Sequence, residues 1–142
     1  MAPEMITVLI DTNVLISGLV GHGKPRRLVT ELLEKQEVVS SRGLLAELLE
    51  VLSRDKFKEV EKSQVESFLS ILASKLILVS DEPRHKVILE DPDDDLVLCV
   101  ARLGKADYIV TGDRHLLDLK QYKKIRIVTV KDMLELLHNQ DG

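Results

Sequence analysis

The sequence predicts a single α/β domain built on a mainly parallel sheet of five strands. Three observations support this fold class: five short apolar runs, helix-period segments between them, and connections too short to form a linker. Strands separated by helices of about 10 to 15 residues are typical of βαβ units and a parallel sheet. A chain of 142 residues has the length of one domain. We place that domain at residues 1–142, with a core from about 6 to 137.

The strands are predicted from runs of aliphatic and β-branched residues. Residues 6–10 form an unbroken run of this kind, which indicates a strand buried on both faces. The four shorter candidates are residues 38–39, 76–79, 108–110 and 125–128.

The helices are predicted from apolar residues at helical spacing, at 26–34, 44–52, 63–72, 96–103 and 130–137. Two of them have marked starts. Ser63 with Glu66 forms a capping box, and Thr129 with Asp132 forms its acidic variant. Gly104 follows the fourth helix and is expected at its C-cap.

Composition narrows the class of protein. The chain is 44% hydrophobic and 31% charged, and it has a single cysteine, Cys99, which fits a reducing cytoplasm. No apolar run approaches the roughly 20 residues of a membrane span, so we expect a cytoplasmic protein without a membrane partner.

A net charge of −4 argues against a nonspecific nucleic-acid coat protein. Four carboxylates held by a metal would account for that charge, so it does not exclude a metallonuclease.

Two aspartates follow predicted strands. Asp11 ends the first apolar run, and Asp113 comes shortly after the run at residues 108–110. In open α/β sheets, the carboxyl ends of the strands are where ligands bind. A buried carboxylate there is costly unless a positive group meets it. For Asp113, a turn or helix-cap role is the alternative explanation.

Further acids occur on the predicted helices. Glu47 lies at the edge of the apolar stripe of residues 44–52, although a surface charge is the ordinary explanation for a helical glutamate. Residues 90–95 contain five acids in six positions, more than helix capping requires. Four carboxylates in one cleft need a hard divalent cation, Mg²⁺ or Mn²⁺, because like charges resist ionising together. This ligand set suits hydrolysis of a phosphodiester.

The ordered acids resemble the pattern of PIN-domain nucleases. The resemblance rests on residues 11–17 (DTNVLIS), Glu47, Asp95 and residues 111–113 (TGD). Residues 91–95 (DPDDD) and 106–113 (ADYIVTGD) are similar to the toxin-type branch, the VapC proteins. The resemblance covers residues 6 to about 137.

The resemblance implies a Rossmann-like sheet and a Mg²⁺- or Mn²⁺-dependent endoribonuclease that is commonly a homodimer. By position, its acidic quartet corresponds to Asp11, Glu47, Asp95 and Asp113, and its supporting polar residues correspond to Asn13 and Thr111. The triple aspartate also allows Asp93 or Asp94 as the third ligand, but the sixteen-residue spacing to Thr111 favours Asp95. Toxins of the family are usually paired with an antitoxin, whereas other relatives process or degrade RNA without a toxin role.

Five basic residues are candidates for contacts with RNA phosphates. They are Lys24, Arg26, Arg27, Arg42 and Arg114. Lys24 lies within residues 18–25 and Arg26 and Arg27 follow them; this segment nearly spells a phosphate-binding loop but ends in Pro25 where a hydroxyl is needed. We therefore expect a basic loop over the cleft and no nucleotide site, with a solvated surface as the alternative.

The leading hypothesis is a metal-dependent endoribonuclease that acts as the toxin of a toxin–antitoxin pair. The first alternative is a PIN-domain nuclease of RNA processing or decay. A second is a haloacid-dehalogenase-type phosphatase with Asp11 as nucleophile, but that chemistry needs an acid where this chain has Asn13. A third is a PIN-like binding protein that acts through its partner.

Overall fold

The computed structural model describes residues 5–80 and 92–139, and the side chains of residues 55 and 92–95 lie outside that description. The strands are β1 (Thr7–Ile10), β2 (Glu37–Ser40), β3 (Leu76–Leu78), β4 (Tyr108–Val110), β5 (Gln121–Tyr122) and β6 (Ile125–Val128). The helices are α1 (Thr12–Val20), α2 (Lys24–Lys35), α3 (Arg42–Leu52), α4 (Lys62–Lys75), α5 (Pro92–Leu103), α6 (Arg114–Leu119) and α7 (Val130–Asn139), with a 3₁₀ turn at Asp55–Phe57.

The sheet has the order β3-β2-β1-β4-β6-β5. Every neighbouring pair is parallel except β5 with β6. The predicted mainly parallel sheet is therefore confirmed, but it has six strands rather than five. The additional strand, β5, has only two residues, Gln121 and Tyr122. It contains no apolar run, and it exists because the chain turns back against β6.

Helices cover both faces of the sheet. Val8 and Ile10 of β1 face a core that includes residues of α1, α2, α4 and α7, whereas Leu9 faces a second core with α5 and α6. Burial on both faces explains why the run at β1 is unbroken. Helix α3 contributes to both cores, through Leu44 on one side and Leu48 on the other. It therefore lies across an end of the sheet. None of the described helices is long and apolar enough to cross a membrane.

The five predicted helices are confirmed, and each extends at least one residue beyond its predicted bounds. Helices α1 and α6 were not predicted. In α1, six of nine residues are buried. The helix therefore lacks the polar face whose spacing would reveal a helix in the sequence. Helix α6 has only six residues, which is too short for a periodic pattern.

The predicted helix ends have mixed outcomes. The capping box at Ser63 is wrong, because α4 begins at Lys62 with Glu61 at its N-cap and no side-chain cap bond. The cap at Thr129 is confirmed, since its Oγ1 accepts from the backbone N–H of Asp132 at 3.1 Å. Gly104 follows α5 as predicted.

The reason for glycine at position 104 is a close approach between elements. The left-handed residue at this helix end is Lys105, with φ 55°, and Gly104 does not have a positive φ. A Cβ on Gly104 would lie 3.0–3.1 Å from the side chain of Val39. The glycine therefore allows the end of α5 to pack closely on β2.

Candidate active site at the carboxyl edge of the sheet

The topology brings two of the predicted carboxylates to one point of the sheet. From β1 the chain proceeds to β2 and β3 on one side, and β4 then pairs on the other side of β1. Ligands in open α/β sheets bind outside the carboxyl ends of the strands at such a switch point. The residues that follow β1 and β4 are Asp11 and the segment 111–113.

Asp11 is a buried carboxylate held by hydrogen bonds. Only 8% of the residue is exposed, and its backbone N–H donates to the carbonyl of Val110 at 2.9 Å. Its side-chain Oδ2 accepts from the Thr111 hydroxyl at 2.7 Å. A buried carboxylate needs such donors, because it has lost the hydrogen bonds of water. The backbone of Asp11 is therefore held by β4, and its side chain is held by Thr111, the residue that follows β4.

Thr111 connects the two aspartates. Its side chain is fully buried, and its Oγ1 donates to Asp11 while accepting from the backbone N–H of Asp113 at 2.9 Å. Its own backbone N–H donates to the carbonyl of Val128 at 3.0 Å. One hydroxyl thus sets the position of Asp11 relative to the chain at Asp113.

Asp113 is half-buried and also caps a helix. It is the N-cap of α6, and its Oδ1 accepts from the backbone N–H of His115 at 2.8 Å. This bond orients the carboxylate. The cap role suggested by the sequence is therefore present, and it coexists with the position next to Thr111.

Glu47 and Asn13 lie on helices around this edge. Glu47 is half-buried in the middle of α3, which packs against α1 and α5. The start of α3 is fixed by Ser41, whose hydroxyl accepts from the backbone N–H of Leu44 at 3.2 Å. We did not single out Ser41 from the sequence, although serine before an apolar helix is a cap signal. Asn13 is exposed in the first turn of α1.

The backbone of Asp95 lies in the first turn of α5. Helix α5 precedes β4, so its first turn lies toward the carboxyl edge of the sheet, and Asp95 is about 12 Å along the helix axis from the last residue, Leu103. The side chains of Asp93, Asp94 and Asp95 are outside the described part of the structure. The choice among these three ligands therefore stays a prediction.

The described residues supply oxygen ligands for a cation but not a complete site. Carboxylate oxygens, such as those of Asp11 and Asp113, are the donors that Mg²⁺ and Mn²⁺ prefer. Among the side chains that the structure describes, which exclude those of residues 55 and 92–95, no three acidic, histidine or cysteine residues form a group that could hold a metal ion. The third aspartate of the expected quartet falls outside the side chains described.

The candidate RNA-contacting residues fall into two groups. Arg42 and Arg114 are exposed first residues of α3 and α6, so both follow strands at the carboxyl edge. The others begin α2, where the guanidinium of Arg26 contacts His22 Nδ1 at 2.7 Å and that of Arg27 contacts His138 Nδ1 at 3.2 Å.

The expectation of a basic loop over the cleft is wrong for most of the segment. Residues 18–20 end α1, residues 21–23 form a short turn, and Lys24 already begins α2. A phosphate-binding loop connects a strand to a helix, whereas this segment connects two helices. The expected absence of such a loop is consistent with this connection.

Comparisons with known proteins identify the family. The PIN domain family model matches residues 7–115, about three quarters of the chain. An uncharacterised protein of Methanocaldococcus jannaschii, MJ1680, is 28% identical over an alignment of 142 positions. The alignment covers 92% of this chain and 90% of that protein. One chain in the crystal structure of VapBC2 from Rickettsia felis, bound to a DNA fragment from their promoter, superposes with a TM-score of 0.62. It is 20% identical and covers 87% of this chain and 98% of that chain, which is a likeness of fold. The chain belongs to the PIN domain family, whose members are nucleases that generally use divalent metals.

Proposed function

We propose that this protein is a Mg²⁺- or Mn²⁺-dependent endoribonuclease with Asp11, Glu47, Asp95 and Asp113 as its metal ligands. The observation that carries the proposal is the Thr111 hydroxyl, which bonds to Asp11 and to the backbone of Asp113 at the switch point of the sheet. A threonine buried between two strand ends, with both of its hydrogen-bonding roles used, holds carboxylates in a set geometry. Such preorganisation is what a metal-ligand set requires.

The chemistry follows from the type of ligand. A divalent cation bound here would contact the scissile phosphate and lower the pKa of a water molecule. The chain's own residues hold the carboxylates in place: Thr111 fixes Asp11, and the cap of α6 fixes Asp113. We expect Asn13, exposed beside Asp11, to orient substrate or water. Cleavage is expected to leave a 5′-phosphate and a 3′-hydroxyl.

We further propose that the protein is the toxin of a toxin–antitoxin pair and acts as a homodimer. The support is the similarity in fold to a chain of the VapBC2 assembly and the similarity of residues 91–95 and 106–113 to the toxin branch. An antitoxin is then the expected protein partner. The nuclease without a toxin role remains the alternative. The phosphatase alternative has no support beyond the position of Asp11, because the matched family is one of nucleases.

The test of the nuclease is Asp11→Asn, compared with Asp118→Asn as a matched control. Asp118 is an exposed residue of α6, so its variant makes the same charge change away from Thr111. We expect Asp11→Asn to abolish Mn²⁺-dependent cleavage of single-stranded RNA, and the control to retain it. A second readout is the unfolding temperature, which Mn²⁺ should raise in the control but much less in Asp11→Asn.

Undiminished cleavage by Asp11→Asn would overturn the assignment. Preferential cleavage of a single-stranded DNA of the same sequence would retain a nuclease and refute RNA as the substrate. The toxin role is tested separately by inducing the protein in cells. Growth arrest that is lost in Asp113→Asn supports a toxin that acts through cleavage. Arrest that persists in that variant supports the binding-protein alternative instead.

A further inference from the structure

The strand register places a second buried hydroxyl beside Asp11. Parallel pairing matches Leu9 of β1 with Val39 of β2. Two residues further along each segment, the same register sets Asp11 next to Ser41, and neighbouring strands are about 4.8 Å apart. Ser41 is fully buried, and both residues keep extended backbone angles. Asp11 is therefore flanked by a serine on the β2 side, as it is by Thr111 on the β4 side.

Asp11 and Ser41 lie on the same face of the sheet. Successive strand residues point to opposite faces, so a residue shares its face with the residue two positions earlier. Leu9 and Val39 face the core formed with α5 and α6. The side chains of Asp11 and Ser41 therefore continue that face at the carboxyl edge. Helix α5, whose first turn contains the backbone of Asp95, packs against β1, β2 and α3. Ser41 is thus on the face that carries Asp11 and that α5 covers.

Ser41 also fixes the helix that carries Glu47. Its hydroxyl accepts from the backbone N–H of Leu44 at 3.2 Å, and its carbonyl accepts from the backbone N–H of Leu45 at 3.0 Å. Leu44 is buried in the core formed with α5. Glu47 follows Leu44 by three residues, a spacing that puts two side chains on one face of a helix. The bonds to Ser41 therefore set how the first turn of α3 lies over the sheet, and the placement of Glu47 follows from it.

We infer that Ser41 is a positioning residue for the metal ligands. Its hydroxyl holds the first turn of α3 to the strand end next to Asp11, and it thereby sets the carboxylate of Glu47 relative to that of Asp11. Thr111 has the corresponding role for Asp11 and the chain at Asp113. This role of Ser41 rests on the proposed function, which makes these carboxylates metal ligands. Groups that orient metal ligands without touching the metal affect its affinity strongly.

The competing explanation is that this hydroxyl is an ordinary helix cap, and Thr129 provides a matched control. Thr129 follows β6 and precedes α7. Its hydroxyl accepts from the backbone N–H of Asp132 at 3.1 Å, and its carbonyl accepts from that of Met133 at 3.0 Å. The register sets Thr129 next to Thr111 and two strands away from Asp11. It therefore makes the same two bonds to its helix without being a neighbour of Asp11.

The test compares Mn²⁺ binding by Ser41→Ala and Thr129→Ala. Free Mn²⁺ is measured by its electron paramagnetic resonance signal in a titration of each variant without RNA, at a temperature where both are folded. We expect Ser41→Ala to weaken Mn²⁺ binding about tenfold, the lower end of the effect of losing a group that orients metal ligands. Thr129→Ala should leave Mn²⁺ binding unchanged. Both substitutions should lower the unfolding temperature in EDTA by a similar amount, about 3 °C, because each removes one cap.

A second comparison tests whether Ser41 acts through Glu47. If it does, removal of the hydroxyl should have little further effect once the carboxylate is gone. Mn²⁺ binding by Ser41→Ala combined with Glu47→Gln should then be within about twofold of binding by Glu47→Gln alone. Independent losses that multiply in the double variant would overturn the inference, as would undiminished Mn²⁺ binding by Glu47→Gln.

The results separate this inference from the proposed function. If the unmodified protein binds Mn²⁺ and cleaves RNA, equal Mn²⁺ binding by Ser41→Ala and Thr129→Ala would leave the nuclease and reduce Ser41 to a cap. Mn²⁺ binding that depends on Ser41, without any cleavage of RNA, would retain the positioning role and remove the nuclease. A rise in the Mn²⁺ concentration for half-maximal cleavage that is confined to Ser41→Ala, with an unchanged KM for RNA, would support both.

Discussion

The hydroxyl of Thr111 offers a measurable test of how the site is organised. In Thr111→Val the side chain keeps its shape but loses the bonds to Asp11 Oδ2 and to the backbone N–H of Asp113. The first bond has a charged acceptor and contributes about 1.5–3 kcal/mol, and leaving an N–H without its acceptor costs about 1 kcal/mol more. The expected loss of unfolding free energy is therefore about 3 kcal/mol.

Thr111→Ser is the matched control, because it retains the hydroxyl and removes one buried methyl group, at a cost of about 1 kcal/mol. For a domain of this length the entropy of unfolding is about 0.3 kcal/mol/K. We therefore expect the unfolding temperature, measured in EDTA, to fall by about 10 °C in Thr111→Val and by about 3 °C in Thr111→Ser.

A second readout separates positioning from general stability. If Thr111 orients Asp11 for a metal, Thr111→Val should raise the Mn²⁺ concentration needed for half-maximal cleavage, at a temperature where both variants are folded. Thr111→Ser should need about the same concentration as the unmodified protein. Equal unfolding temperatures and equal Mn²⁺ requirements in the two variants would refute the role assigned to this hydroxyl.

Two further predictions concern the fold. Gly104→Ala should lower the unfolding free energy by about 1–3 kcal/mol in a urea titration, because the new Cβ would meet Val39 at 3.0–3.1 Å. Gly112→Ala should change the unfolding free energy much less, because its new Cβ would have no neighbouring atom within 4 Å. Thr129→Ala should lower the unfolding free energy by about 1 kcal/mol, because α7 loses its N-terminal cap. Ser63→Ala should leave the unfolding free energy nearly unchanged. Equal effects of the two substitutions would contradict the cap assignments.

Much of the fold was predictable because its determinants are local. The five strands and five of the helices follow from apolar patterns that the structure retains. The failures also have local causes. Helix α1 is too apolar to show a face, and β5 has two residues without an apolar run. At Ser63 the capping pattern is present, but the N-cap is Glu61, two residues earlier, so the Ser63 hydroxyl lies inside the first turn of α4.

The site was predictable in part. Asp11 and Thr111 were named from the sequence, and the hydrogen bond between them is observed. Their contact joins residues that are 100 positions apart, and no local pattern encodes such a distance. The basic residues at the start of α2 were expected on a loop, but helical geometry directs two of them to His22 and His138.

The sequence by itself determined that this is an α/β chain of buried parallel strands, since an unbroken aliphatic run needs cover on both faces. It also determined the order of the acids, which identified the family pattern. The tertiary structure decided that β4 lies beside β1, and hence that one buried hydroxyl reaches both strand ends. The physical reason is that strand order depends on the packing of helices over both faces. Because that packing is a property of the whole chain, the short segment around each acid does not encode it.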